Sequence, residues 1–200
     1  MSTRSYICRE NEDGTLTGIY CHSDGYLSYN GAMLIDHYAD REKVDRLISL
    51  GSLSSLKPKL DPDPDIRHEF DPEKVGDDDN YKYVFHRQED VCLFYGRDRG
   101  EKNVEAKPIE LDKVEDGWID YCYVYTKDGT WKYFKTFEKY PKRTDPIILR
   151  DVETDLNAEF EKHGIERPPN EYGYYSPEAI AELRQAAIEK KRQSGSGSEM

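Results

Sequence analysis

Apolar and polar positions exchange regularly along "SYICRENEDGTLTGIYC", broken at Asp13-Gly14. That alternation predicts two strands joined by a tight hairpin. A two-residue loop there pairs Glu12 with Thr15 and sets Cys8 opposite Ile19. Cys8 and Cys21 then share a face and His22 takes the other; a three-residue loop moves Cys8 to the face of His22. The Asp-Gly dipeptide favours the two-residue form. The period then changes. Asn30 is placed to cap a short helix from Gly31 to Tyr38, with Leu34, Ile35 and Tyr38 on its apolar side. Asp40 caps a second helix, in which Val44, Leu47 and Ile48 form an i, i+3, i+4 stripe and Gly51 ends it.

Residues 57–80 form an acidic connection rich in proline and aspartate. Nine carboxylates, Asp61, Asp63, Asp65, Asp77, Asp78 and Asp79 among them, face Lys57, Lys59, Arg67 and Lys74. Proline removes amide donors and restricts the residue before it, so no regular element is expected here. Alternation returns in "YKYVFH", "DVCLFYG", a weaker "KPIEL", and "WIDYCYVYTKDGTWKYFKTF", which turns at Asp128-Gly129. Val152, Leu156 and Phe160 recur every four residues, and Lys162-His163-Gly164-Ile165 reads as a glycine-capped helix end. A last helix starts at Ser176-Pro177, with a thin stripe of Ile180, Leu183 and Ala187.

The pattern predicts an α+β fold with an antiparallel sheet of about five to seven strands. Two short helices follow the N-terminal hairpin, and two C-terminal helices lie at the periphery. Its domains are a core over 1–140 (acidic loop 57–80), a helical appendage over 141–193, and a flexible linker or tail over 194–200.

Composition sharpens this picture. The hydrophobic share is 36% and includes 16 tyrosines, so the aliphatic core is lean. Net charge is −12 with a pI near 4.9. Phosphate backbones need Lys and Arg to displace counterions, so direct nucleic-acid binding and anionic membranes are disfavoured. No apolar run approaches a membrane span, and no signal-peptide core is seen at the N-terminus. Cys8, Cys21, Cys92 and Cys122 are dispersed without CxxC spacing, as expected of reduced thiols in a cytoplasmic protein.

Candidate chemistry is sparse. His22, Asp24 and His37 lie within one short stretch and offer the pieces of an acid–base or metal site for a small hydrolase or nuclease. The ordinary reading of "HSDGY" is a turn and of His37 a boundary residue. "DPDPD" fails as a calcium loop: counting from Asp61, the sixth and twelfth positions are Ile66 and Pro72 where Gly and Glu are required. In "YGRDRGEK", Arg97 and Arg99 are bracketed by Gly96 and Gly100. Two forked guanidiniums there suit a carboxylate, a phosphate or a partner, unless Asp98 and Glu101 neutralise them internally. No Walker-type or dinucleotide-binding glycine pattern is present. Tyr121, Tyr123 and Tyr125 fall on one strand face, either core or an interaction surface.

The runs "TRSYICRENEDGTLTGIYCHSDGY", "NGAMLIDHY", "YGRDRGE" and "GWIDYCYVYTKDGTWKYF" resemble small uncharacterised proteins of bacteriophages and mobile elements of Gram-positive bacteria. The likeness spans roughly residues 3–135. It implies an accessory gene product acting inside a bacterial cell on host or defence machinery, and it carries no catalytic residue or cofactor with it. The expectation is therefore an acidic, non-enzymatic binding protein without cofactor or metal. Its partner is a host or defence protein, with a basic surface as the charge complement. A hydrolase or nuclease built on His22, Asp24 and His37 is the alternative.

Overall fold

Strand β1 (Ser5–Glu10) and strand β2 (Leu16–Cys21) form the expected hairpin, but with a different loop. Cys8 pairs with Gly18 and Glu10 with Leu16, and the Asn11 amide closes onto the Thr15 carbonyl at 2.8 Å. The loop therefore holds three residues, ending on Gly14 at φ +84°. Asp13 accepts from both the amide and hydroxyl of Thr15, which fixes this longer turn. Cys8 thus joins the face of Tyr20 and His22, and Cys21 lies on the opposite one. The computed structural model describes residues 2–74, 81–114, 118–136, 147–167 and 177–195.

A π-helical turn at Leu27–Gly31 runs into α1 (Ala32–His37). Asn30 sits inside that turn rather than capping the helix, and its amide is buried against Ser5, Cys21 and Ser23. Helix α2 (Arg41–Ser49) behaves as its stripe requires. Asp40 accepts from the Lys43 amide, Val44, Leu47 and Ile48 are buried, and Gly51 ends the helix at φ +82°. β3 is Leu53–Ser55. The acidic connection is not wholly irregular: β4 (Glu69–Lys74) pairs antiparallel with β5 (Tyr81–His86). Pro72 is tolerated because a two-stranded ribbon has an outward edge that needs no ladder donor. Asp77, Asp78 and Asp79 lie outside the described residues.

β6 (Leu93–Phe94) leads directly into a single helical turn, α3 (Tyr95–Arg99), which ends on Gly100 at φ +66°. β7 is Lys107–Pro108, β8 Tyr121–Tyr125, β9 Trp131–Lys135 and β10 Arg150–Asp151. Among the described residues the main sheet has eight strands in the order β10-β9-β8-β1-β2-β3-β6, with β7 added beside β2. The fold is α+β, and the sheet is mostly antiparallel. It is not a simple meander, since β1–β8 and β2–β3 run parallel. A parallel pair needs a long crossover, and the segment between β1 and β8 supplies it along with the covering helices.

One sheet face carries the main core. Ile7, Ile19, Cys21, Tyr123, Tyr125, Trp131 and Tyr133 pack beneath the π-turn, α1, α2 and α4 (Val152–Lys162). Tyrosine makes up for the lean aliphatic content because its hydroxyls find hydrogen-bond partners at the core margin. Tyr123 donates to the Gly25 carbonyl at 2.8 Å, Tyr125 to Ala39 at 2.7 Å and Tyr133 to Asp155 at 3.0 Å. Helix α4 is thus no peripheral element, since Val152, Leu156 and Phe160 are fully buried in this cluster. Arg167 reinforces the attachment by gripping both Asp36 carboxylate oxygens at 2.7 and 2.9 Å. α5 (Pro177–Gly195) is mostly exposed, with Leu183 partly covered against the core. The opposite sheet face is thinly covered by Ile109, Val114 and Ile119. No helix among the described residues is long and apolar enough to cross a membrane.

Candidate functional site

The hairpin register decides which side chains meet. With three residues in the loop, Tyr6, Cys8, Tyr20 and His22 share the sheet face away from the helices. His22 Nδ1 lies 2.7 Å from the Tyr20 hydroxyl, and the Tyr6 and Tyr20 rings meet edge to face at 6.4 Å. Asp24 is elsewhere, in the left-handed turn at φ 57°; burial raises its carboxyl, and Lys57 offsets part of that. His37 ends α1, with Nε2 buried and unpartnered among the described residues. No hydrogen bond or ion pair joins His22, Asp24 and His37 to one another. No group of three His, Cys, Asp or Glu side chains is placed to hold a metal among the described residues.

All four thiols are fully buried. Burial pushes Cys92 up to about 11 and Cys21 up to about 12, and holds Cys8 well above its ordinary value of 9.0. A protonated, inaccessible thiol is neither a nucleophile nor a ready ligand. A thiol-reactive dye should therefore label the folded protein slowly and all four cysteines once it unfolds. The same shifts set an alkaline limit. The unfolded chain ionises its thiols near pH 9 while the fold keeps them protonated. The stabilisation is complete below pH 9 and is lost as pH rises towards 11 and 12. Urea unfolding at pH 8 and 10 should differ by about 1 kcal/mol for each such thiol. Equal stability at both values would contradict this.

The two arginines of "YGRDRGEK" have partners within the chain. Arg97 donates to both Asp98 carboxylate oxygens, at 2.6 and 2.9 Å, and to the carbonyls of Leu60 and Cys92. Arg99 pairs with Glu101 at 2.8 Å and lies 4.8 Å over the Tyr95 ring. A feature missed in the sequence sits between them. The side chains of Asp98 and His68 are 2% and 1% exposed, and His68 Nε2 lies 3.6 Å from Asp98. His68 Nδ1 accepts from the Gln88 amide at 3.0 Å, so Nε2 carries the proton and faces the Cys92 carbonyl. The network is buried and structural. Thirty residues separate its two acidic–basic halves, so no local motif announces it.

Tyr123 and Tyr125 belong to the core described above, and Tyr121, half-buried, stacks on Tyr123 at 6.0 Å. They offer no Tyr-rich outer surface. Asp61, Asp63 and Asp65 are exposed; Asp61 pairs with Arg46 at 3.0 Å, and the Asp63 carboxylate accepts from the Asp65 amide.

The open sheet face also carries a groove of about 330 Å³, lined by Tyr6, Lys107, Ile109, Lys113, Trp118 and neighbouring residues. Trp118 is 56% exposed, with the Arg4 guanidinium 4.4 Å above its ring. Lys107 Nζ stands 5.3 Å over Tyr6. Neither Arg4 nor Lys107 forms an ion pair among the described residues, whereas Lys113 is held by Glu110 at 2.6 Å. Comparison with protein-family models, curated proteins and solved structures gives no match.

Proposed function

We propose that the chain is a non-enzymatic binding protein whose acidic surface engages a basic protein partner. The exposed carboxylates of Asp61, Asp63 and Asp65, in a chain of net charge −12, carry this reading. Buried thiols and the separate settings of His22, Asp24 and His37 leave no assembled acid–base or nucleophilic group among the described residues to favour catalysis. The resemblance in sequence pattern extends the proposal to a phage or mobile-element accessory that acts on a host or defence protein inside a bacterial cell.

Exposed carboxylates steer encounter more than they hold a complex, and salt screens them over about 8–10 Å. A pulldown from bacterial lysate at low and high salt identifies the partner, and surface-plasmon kinetics then measure association. Changing Asp61, Asp63, Asp65, Asp77, Asp78 and Asp79 to Asn should slow association about tenfold at low salt. Wild-type association by that variant at every salt concentration would remove the electrostatic basis of the proposal.

A further inference from the structure

We infer that the groove on the open sheet face is a binding site for a small anion carrying a flat aromatic ring, with Trp118 and Tyr6 against the ring and Lys107 and Arg4 at the charge. This site is independent of the acidic loop. Among the described residues Arg4 and Lys107 form no ion pair, although carboxylates outnumber cations 41 to 29 in the chain. Glu110 is already committed to Lys113, so it leaves Lys107 available. Two cations with no ion pair among the described residues, Lys107 in the groove lining and Arg4 over the Trp118 ring, suit an anion.

The aromatic groups point the same way. Trp131, the other tryptophan, is buried and donates to the Tyr38 carbonyl at 2.7 Å. Trp118 instead stands at the groove, and large aromatic residues in that setting dominate binding energies because they offer area at little entropic cost. Arg4 and Lys107 are held against the Trp118 and Tyr6 rings, so less side-chain freedom remains to be lost when an anion arrives. Arg4 Nε is buried without a partner among the described residues. Gly18 shapes the floor. A Cβ there would stand 2.6 Å from Cys8 Sγ and 2.8 Å from Ile109 Cγ1, so only glycine lets Ile109 seat this closely.

Size limits the occupant. A cavity of about 330 Å³ is at the lower end for ligand sites, which excludes a dinucleotide or an extended polymer. A mononucleotide and an aromatic carboxylate share the required chemistry. Cys8 beneath the groove is buried and protonated, so the site binds its ligand and does not attack it.

The test follows the two tryptophan indole N–H signals by NMR during titration of the full chain with AMP, benzoate or inorganic phosphate. Saturable shifts of the Trp118 signal, with Trp131 unmoved, are expected for AMP, benzoate or both. AMP alone identifies a ring phosphate, and benzoate alone an aromatic carboxylate. Phosphate should not saturate, because it lacks the ring. Lys107→Glu should weaken binding at least about tenfold, and Trp118→Ala should abolish it by calorimetry. Both positions are exposed, so both variants should keep the wild-type circular-dichroism spectrum. The inference is overturned if neither ring-bearing anion saturates by about 10 mM, if phosphate alone binds as well, or if Lys107→Glu binds like wild type.

Discussion

Replacing Phe160 with alanine lowers the unfolding free energy by about 3–5 kcal/mol, the usual range for emptying an aromatic site in a close-packed core. Phe160 is fully buried in the cluster that also holds Leu34 and Tyr123. Its helix is fixed at both ends. Asp151 accepts from the Thr154 amide at 2.8 Å, and Gly164 at φ +70° lets the Ile165 amide return to the Phe160 carbonyl. Collapse around the missing ring is therefore restricted. Leu183→Ala on α5 removes only a partly covered side chain and should cost less than about 1 kcal/mol. Cutting the chain after residue 140 would uncover the main core and should leave a chain without a cooperative thermal transition. Denaturant unfolding of the two point variants decides the matter. Equal, small effects would mean that α4 is an appendage after all.

The contrast between these two helices was only partly legible. Four-residue spacing of Val152, Leu156 and Phe160 announced a helix, and the glycine cap announced its end. Spacing says which side of a helix is apolar but not what that side meets. The docking surface comes from the π-turn and α1, more than a hundred residues earlier. The hairpins were legible through their Asp-Gly turns, yet the loop at Asp13-Gly14 gained a residue because Asp13 bonds Thr15 and closes a wider turn. That single step exchanged the faces of Cys8 and Cys21. It also explains why the groove could not be read in advance. Tyr6 and Trp118 line one groove because β8 runs parallel beside β1, a pairing that no local turn encodes. The tyrosines of β8 had two readings from alternation alone, and the covering helices decide for the core.

The largest effect from one charged residue is expected at Asp98. Its carboxylate accepts from the Phe94 amide at 2.7 Å and from two Arg97 nitrogens, and it faces His68 across 3.6 Å. Alanine there strips the charge from the Arg97 guanidinium's main partner and leaves a buried amide unpaired. Removing one member of a buried pair costs about 3–5 kcal/mol, most of it from the partner left behind. Asp98→Asn keeps the shape and one acceptor oxygen, so it should fall between alanine and wild type. Arg99→Ala removes the Arg99–Glu101 pair, whose side chains are 36% and 41% exposed, and the guanidinium over the Tyr95 ring, and should cost about 1 kcal/mol. Arg97→Met tests the desolvation argument from the other side. With Asp98 then buried beside an apolar chain, stability should drop nearly as far as in Asp98→Ala, whereas Arg97→Met with Asp98→Leu together should recover part of the loss. A double-mutant cycle by urea unfolding measures that recovery. If Asp98→Ala unfolds within about 1 kcal/mol of wild type, the network contributes little to the fold. The guanidinium of Arg97 would then be spare, and the anion-binding reading of "YGRDRGEK" would regain its ground.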